Sequence, residues 1–133
     1  MSDFWKPKGY SSVSPYLVVP NAQSVIIFLQ EAFGATELRR FYRPDGSFMH
    51  VELQIEDTVV MLGDATNTWS ATVAQLHIYV QDVIKTYQHA VDAGGMSILE
   101  PTRKEGDPDR RAGVKDPAGN TWWIATQEVY HSS

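Results

Sequence analysis

The chain has 133 residues, of which 43% are hydrophobic and 20% charged; this length and balance predict one globular domain and exclude a disordered or fibrous chain. Eleven Lys and Arg against sixteen Asp and Glu give a formal net charge of −5, which disfavours a nucleic-acid partner because phosphate backbones select basic surfaces. The absence of Cys excludes disulfides, thiolate metal sites and cysteine nucleophiles.

Hydrophobic periodicity predicts a strand, a helix and three further strands in the first half of the chain. Asn21 precedes the helix as an N-cap, and Gly34 ends it. The pair Glu56-Asp57 forms the turn of a hairpin between the last two strands. The predicted elements are, in chain order, a strand at 14–19, a helix at 22–33, and strands at 37–42, 47–55 and 58–62.

The same order of elements begins again in the second half of the chain. Asp82 is the N-cap of a second helix, and Gly94-Gly95 ends it. The turn Asp116-Pro117-Ala118-Gly119-Asn120 precedes the last strand. The predicted elements are a strand at 73–80, a helix at 83–93, and strands at 97–100, near 113–115 and at 121–125.

The two halves align in register, since cap, stop and strand positions repeat at a fixed offset, as Asn21 and Asp82 illustrate. We therefore predict an α+β fold in which two repeated β-α-β-β-β modules, residues 12–68 and 73–127, form a cup-shaped mixed sheet within one domain. No linker rich in Gly, Ser or Pro separates the modules. Residues 1–11 form an N-terminal tail that carries three aromatic side chains.

Location is predicted from two features that are missing from the sequence. No stretch approaches the roughly 18 consecutive apolar residues of a membrane span. Residues 1–7 also lack the charged-then-apolar layout of a signal peptide. We therefore expect a cytoplasmic protein without a membrane partner.

Several motifs accompany this repeat. They are Gly9-Tyr10, Val13-Ser14-Pro15-Tyr16-Leu17-Val18-Val19, Ala32-Phe33-Gly34-Ala35, Met49-His50-Val51-Glu52-Leu53, Leu76-His77-Ile78-Tyr79-Val80, Asp109-Arg110, Gly113-Val114-Lys115-Asp116-Pro117 and Trp122-Trp123-Ile124-Ala125-Thr126. With them the chain resembles the vicinal oxygen chelate superfamily, which includes glyoxalase I, extradiol dioxygenases, fosfomycin-resistance enzymes and bleomycin-resistance proteins, and more narrowly its PhnB-like branch. The resemblance covers residues 9–126 and implies the two-module cup. It leaves the reaction open, because the superfamily hosts unrelated chemistries on one scaffold.

The resemblance also implies where a metal would bind. In metal-using members four ligands, typically His and Glu or Gln, point into the cup from the first and last strands of each module. These positions correspond to Ser14, Met61, Gln75 and Trp123 in this chain. A hydroxyl, a thioether, an amide and an indole do not replace imidazoles and carboxylates around a divalent cation. The usual chelate is therefore expected to be absent.

Strand alternation places further polar side chains in the same cup. They form two sets: His50, Glu52 and Gln54 beside Met61, and His77 and Tyr79 beside Gln75. One interpretation is that His50, Glu52 and His77 converge on an alternative site for one divalent metal, zinc or iron. The other is that these residues are hydrogen-bonded wall groups that orient a bound molecule.

Two functional hypotheses follow. The first is a protein without a cofactor that sequesters a small aromatic or antibiotic-like molecule, similar to bleomycin-resistance members. The second is an isomerase, lyase or dioxygenase, in which the alternative metal site acts, or Glu52 is a general base while His77 polarises the substrate. The residues expected to bind the ligand, by stacking, apolar contact or hydrogen bonds, are Tyr16, His50, Glu52, Gln54, Met61, Gln75, His77, Tyr79, Arg110 and Trp123.

Arg110 belongs to the run 102–111, which mixes both charge signs with Gly and Pro. This run is either a solvated loop or a mobile flap that brings Arg110 to the mouth of the cup. A homodimer is implied by the resemblance, in which it is the common state. Ile27, which the apolar face of the first helix does not need, fits a subunit contact, and the aromatic tail is expected to dock on its own domain or on a partner subunit.

Overall fold

A computed structural model describes residues 4–129 of the chain. Two helices and eight strands follow the predicted order, and the α+β prediction is confirmed. Neither helix of the described residues is long and apolar enough to cross a membrane. The elements are β1 (Tyr16–Val19), α1 (Ala22–Phe33), β2 (Thr36–Tyr42), β3 (Phe48–Ile55), β4 (Thr58–Asp64), β5 (Gln75–Tyr79), α2 (Val83–Asp92), β6 (Met96–Thr102), β7 (Asp109–Lys115) and β8 (Thr121–Gln127).

The strands form two four-stranded sheets with the same topology. Their orders are β1-β4-β3-β2 and β5-β8-β7-β6. In each sheet the first strand of the module pairs parallel with the last, and the other neighbours are antiparallel. Each predicted module thus has its own mixed sheet, and no strand of one module pairs with a strand of the other between residues 4 and 129.

The helices begin where the sequence predicts. The Asn21 side chain accepts a hydrogen bond from the Ser24 backbone N–H, and Asp82 accepts one from Lys85 in the same way. Each cap satisfies a backbone donor that the first turn of a helix leaves without a partner. Gly34 ends α1 at φ 69°, a left-handed conformation that a residue without Cβ adopts at little cost.

One hydrophobic core joins the two modules. It contains the inward-facing side chains of both sheets and of both helices. Phe28 on α1 lies against Gly95 of the second module, and the Phe33 ring lies 5.0 Å from the Trp122 ring. Because the modules bury apolar surface against each other, we expect them to unfold together.

The run 102–111 is more ordered than the loop or flap that the sequence predicts. Strand β6 extends to Thr102 and β7 begins at Asp109, so the connection spans only residues 103–108. Asp109 is buried, and its backbone N–H donates to the Asp107 carboxylate. These contacts extend β7 into a segment whose Gly, Pro and mixed charges are typical of loops.

Candidate functional site

Each sheet presents one face to the shared core and a second face away from it. On the second face of the first sheet, called face 1 here, Glu52 lies opposite Met61 in the β3–β4 register. On the corresponding face of the second sheet, called face 2, His77 lies opposite Trp123. Alternation along the strands adds the rest of the predicted set, which comprises Tyr16, His50 and Gln54 on face 1 and Gln75 and Tyr79 on face 2.

Glu52 is the centre of a hydrogen-bond network on face 1. Glu52 lies in the middle of β3, and the whole residue is only 4% exposed. The Tyr10 hydroxyl donates to Oε1 at 2.5 Å, and His50 Nε2 lies 2.7 Å from Oε2. Arg39 Nε approaches Oε1 at 3.7 Å. A buried carboxylate needs such partners, since burial without them costs several kcal/mol, roughly 2–7 even for a neutral polar group.

The charge of Glu52 is favoured by these partners. Burial raises the pKa of the Glu52 carboxyl. The hydrogen bonds from Tyr10 and His50 and the nearby positive charges lower the pKa by more than burial raises it. The net pKa therefore lies below the usual value for Glu. Face 1 consequently presents a carboxylate that accepts hydrogen bonds rather than a neutral acid that donates one.

His50 connects Glu52 to an aromatic cluster. Its Nδ1 lies 2.8 Å from the Tyr16 hydroxyl, so both ring nitrogens have partners. The rings of Tyr16 and Phe41 lie 5.4 Å and 6.2 Å from the imidazole. Trp69, in the segment after β4, makes an edge contact with Tyr16 at 5.5 Å. Face 1 therefore combines a fixed hydrogen-bonding centre with an aromatic surround.

On face 2 the Trp123 indole lies against Gly113 of β7. Its Nε1 donates to Gln75 Oε1 at 2.9 Å, which fixes the ring orientation. A Cβ added to Gly113 would lie 2.7 Å from the ring, so only glycine leaves room for the indole at that point of β7. Trp123 is partly exposed. The indole therefore has a fixed orientation and is partly open to solvent.

A second network on face 2 centres on Arg111. Its guanidinium donates to the carboxylates of Asp107 and Asp109, and Nη1 lies 2.6 Å from His77 Nε2. The Tyr79 hydroxyl also donates to Asp109, at 2.5 Å. Because a guanidinium is only a donor, His77 Nε2 accepts and the imidazole is neutral. Burial and the Arg111 charge lower the pKa of His77, in agreement with this assignment.

Arg110 was predicted at the mouth of the cup, but the structure places its neighbour Arg111 on face 2, beside His77. Arg110 shares the parity of Ala112 and Val114, which face the core. Its guanidinium pairs with Glu128 at 2.9 Å. The sequence prediction took the right segment but the neighbouring residue, because the start of β7 and hence its parity was not apparent.

The His50, Glu52 and His77 side chains do not converge. His50 and Glu52 are in contact on face 1, whereas His77 contacts Arg111 on face 2. No group of three His, Asp or Glu side chains that could hold a metal ion occurs in the described part of the chain. The alternative three-ligand metal site is therefore not assembled within residues 4–129 of one chain.

Sequence reasoning did not identify four residues that complete the two faces: Tyr10, Arg39, Asp109 and Arg111. Arg39 is opposite Glu52 in the β2–β3 register, so correct pairing of β2 would have placed it on face 1. Tyr10 belongs to the Gly9-Tyr10 motif and to the aromatic tail, and neither predicts its contact with Glu52. The docking expected of the tail is seen for Tyr10, whose hydroxyl contacts Glu52.

A cleft separates the β3–β4 turn of the first module from strand β5 of the second. Its volume is about 310 Å³, near the lower limit for small-molecule sites. Glu56 and Asp57 line one wall and His77 and Tyr79 the other. The edge of face 2 is thus continuous with a concave site between the modules.

Comparison with known proteins places this geometry in a family. A profile of the Glyoxalase/Bleomycin resistance protein/Dioxygenase superfamily matches residues 12–124. The chain therefore belongs to this superfamily, and the superfamily prediction is confirmed. An uncharacterized protein of Mycobacterium bovis is 34% identical over 122 residues, covering 84% of this chain and 80% of that protein. An uncharacterized protein of Mycobacterium tuberculosis is also 34% identical, covering 84% of this chain and 71% of its own length.

Solved structures share the fold at lower identity. TioX from Micromonospora sp. ML1 has a TM-score of 0.70 at 21% identity, covering 92% of this chain and 100% of that chain. The fosfomycin resistance protein FosX from Listeria monocytogenes has a TM-score of 0.73 at 15% identity, covering 88% and 93%. A glyoxalase I mutant from Zea mays has a TM-score of 0.69 at 21% identity, covering 83% and 42%. At these identities the likeness is one of fold.

Proposed function

We propose that this protein binds a small aromatic or antibiotic-like molecule on its two sheet faces and sequesters it without chemical change. The observation that carries this proposal is the Trp123 indole, which is hydrogen-bonded to Gln75, lies against Gly113 and is partly exposed. Ring-on-ring contact at such a surface adds about 0.5–1.5 kcal/mol beyond area burial. The Glu52 network on face 1 would orient polar groups of a ligand bound on that face. Within the superfamily, the motifs favour the PhnB-like branch.

The donor atoms at the superfamily's metal positions support binding rather than chelation. Met61 offers only a thioether and Ser14 a neutral hydroxyl, which are poor ligands for a hard divalent cation. Gln75 and Trp123 are hydrogen-bonded to each other, and an indole N–H has no lone pair for a metal. We therefore assign no step of the proposed function to a metal ion.

Replacing Trp123 tests the stacking contact. We expect Trp123→Ala to weaken binding of fused-ring aromatic ligands about tenfold, because the stacking surface is lost. Isothermal titration of wild type and variant against a panel of naphthol, quinoline and indole derivatives measures the change. Trp5→Ala is the matched control, since Trp5 is 71% exposed and far along the chain from face 2. Equal affinities for wild type and Trp123→Ala would contradict the proposal.

We also propose that the protein is a homodimer, a state common in the superfamily. Exposed apolar side chains support an interface: Ile98 beside Trp123, and Ile27 on α1. Light scattering is expected to give about 30 kDa, twice the 14.9 kDa of one chain. Ile27→Lys should lower the apparent mass at micromolar concentration, whereas Ile84→Lys, on the exposed side of α2, should not. A wild-type mass of one chain would contradict the dimer, and a fully dimeric Ile27→Lys variant would exclude Ile27 from the contact.

A further inference from the structure

The N-terminal segment places one of its own aromatic side chains in the best-formed polar site of the molecule. The Tyr10 hydroxyl donates a hydrogen bond to Glu52 Oε1. The Arg39 guanidinium lies over the Tyr10 ring, 5.3 Å from its centroid. The ring is therefore recognised at two points, by a carboxylate that accepts from its hydroxyl and by a cation at its face.

The site does not depend on the segment that occupies it. Glu52, His50 and Arg39 belong to strands β3 and β2, and the Tyr16 hydroxyl holds the far side of His50. Tyr10 belongs to no strand or helix, and its ring is partly exposed. Removing Tyr10 would leave the strand residues in place and Glu52 Oε1 without its hydrogen-bond donor.

The described part of the segment is mostly exposed: of residues 4–10, only Lys6 and Tyr10 are half-buried. The Tyr10 N–H donates to the Pro7 carbonyl and the Lys6 ammonium donates to the Ser12 hydroxyl, which are both local contacts, while the Tyr10–Glu52 hydrogen bond reaches β3. Gly9 has φ +84°, which lets the chain turn just before Tyr10. Segments with few buried contacts open at low free-energy cost.

We propose that the subsite formed by Arg39, His50 and Glu52 takes a phenolic hydroxyl of the ligand, and that Tyr10 fills it as an intramolecular competitor when no ligand is bound. The proposal rests on the proposed function and names the ligand class: a phenol or hydroxylated fused ring. The ligand hydroxyl replaces the Tyr10 hydroxyl as donor to Glu52, and its ring replaces the Tyr10 ring beneath Arg39. No covalent step is involved.

The chemistry of the site selects for the hydroxyl. A buried carboxylate that loses its donor pays a desolvation penalty, so an aryl ether of the same shape would leave Glu52 Oε1 unsatisfied. Hydrogen bonding to Glu52 raises the pKa of Tyr10, so the resident phenol keeps its proton and remains a donor. A ligand phenol in the same position would remain protonated for the same reason.

Competition between Tyr10 and a soluble phenol gives the test. We expect Tyr10→Ala to bind 4-methylphenol about tenfold more tightly than wild type, because the apparent affinity rises when the competing occupant is removed. Binding is measured by calorimetry and by NMR of the His50 imidazole, which borders the subsite. 4-Methylanisole, which lacks the donor, is expected to gain no affinity. Equal affinities of wild type and Tyr10→Ala for 4-methylphenol would overturn the proposal, and so would an equal gain for 4-methylanisole.

Two further variants keep the result interpretable. Tyr87→Phe removes a phenol hydroxyl that bonds Ser97 in the second module, and should leave 4-methylphenol binding at the wild-type level. Tyr10→Phe keeps the ring and loses the donor. Its affinity for 4-methylphenol should lie between those of wild type and Tyr10→Ala. A gain in Tyr87→Phe equal to that in Tyr10→Ala would also overturn the proposal.

Failure of this inference differs from failure of the proposed function. If fused-ring ligands bind and depend on Trp123 while Tyr10→Ala gives no gain for 4-methylphenol, the phenol subsite is wrong and stacking on face 2 stands. If Tyr10→Ala shows the gain while Trp123→Ala has no effect on any aromatic ligand, face 1 recognises phenols and the stacking function is wrong.

Discussion

Phe28→Ala is expected to lower the free energy of unfolding by about 3–5 kcal/mol, the range for removing a buried aromatic ring. Phe28 is 0% exposed and packs edge-to-face with Phe33, with ring centroids 6.1 Å apart. A Cβ on Gly95 would lie 2.9 Å from Phe28 Cε1, so the ring touches the backbone of the second module. The variant removes contacts within the first module and between the modules. Urea unfolding followed by circular dichroism measures the loss.

Phe41→Ala is the matched control for Phe28→Ala. Phe41 is 47% exposed on β2, so its removal should cost under about 1 kcal/mol. Circular dichroism and tryptophan fluorescence should also give coincident transitions in wild type, because both modules share the core. A loss for Phe28→Ala no larger than that for Phe41→Ala would contradict the role of Phe28 in joining the modules.

Asp116→Ala is expected to destabilise the protein by about 3 kcal/mol, because it leaves several buried donors without partners. The Asp116 carboxylate accepts hydrogen bonds from the backbone N–H groups of Ala118 and Asn120, from Asn120 Nδ2 and from Trp122 Nε1. The side-chain oxygen of Asn120, Oδ1, in turn accepts a hydrogen bond from the Ala74 N–H. This turn therefore connects the entry of β5 to the start of β8. Thermal and urea unfolding of the variant measure the effect.

Asp92→Ala serves as the control for the loss of a carboxylate. Asp92 is exposed at the end of α2 and accepts only from Gln88 Nε2 among the side-chain hydrogen bonds of the described residues. Its removal should change the free energy of unfolding by less than about 0.5 kcal/mol. Asp116→Asn should fall between the two, since an amide oxygen replaces only part of the acceptor capacity. If Asp116→Ala left the free energy of unfolding unchanged, water would satisfy these donors and the predicted role of the carboxylate would be wrong.

Local signals in the sequence predict most of the fold. Cap residues such as Asn21 and Asp82 and the stop at Gly34 act within a few residues, so their effect can be predicted without tertiary information. Two-residue alternation assigned Glu52 and Trp123 to the faces on which the structure has them. The sequence does not predict that β7 begins at Asp109. Pairing with β8 and burial hold this residue in a strand conformation, and neither can be read from local composition.

The candidate site depended on information that strand parity does not contain. Alternation states which face of its own sheet a residue occupies, but helix packing sets how two sheets lie relative to each other. His50 and His77 were therefore expected in one site and lie in separate networks. The Tyr10–Glu52 contact spans 42 residues of sequence, and no local pattern predicts which tail side chain reaches a buried carboxylate.

The two modules are joined on the opposite side of each sheet from the residues proposed to meet the ligand. Val51, Leu53 and Trp122 hold the molecule together, while their strand neighbours His50, Glu52 and Trp123 face away from that core. Most substitutions on the outer faces therefore remove little of the buried surface on which folding depends. Such a scaffold can accumulate substitutions that change what it recognises while each variant stays folded. This is consistent with one architecture serving many chemistries.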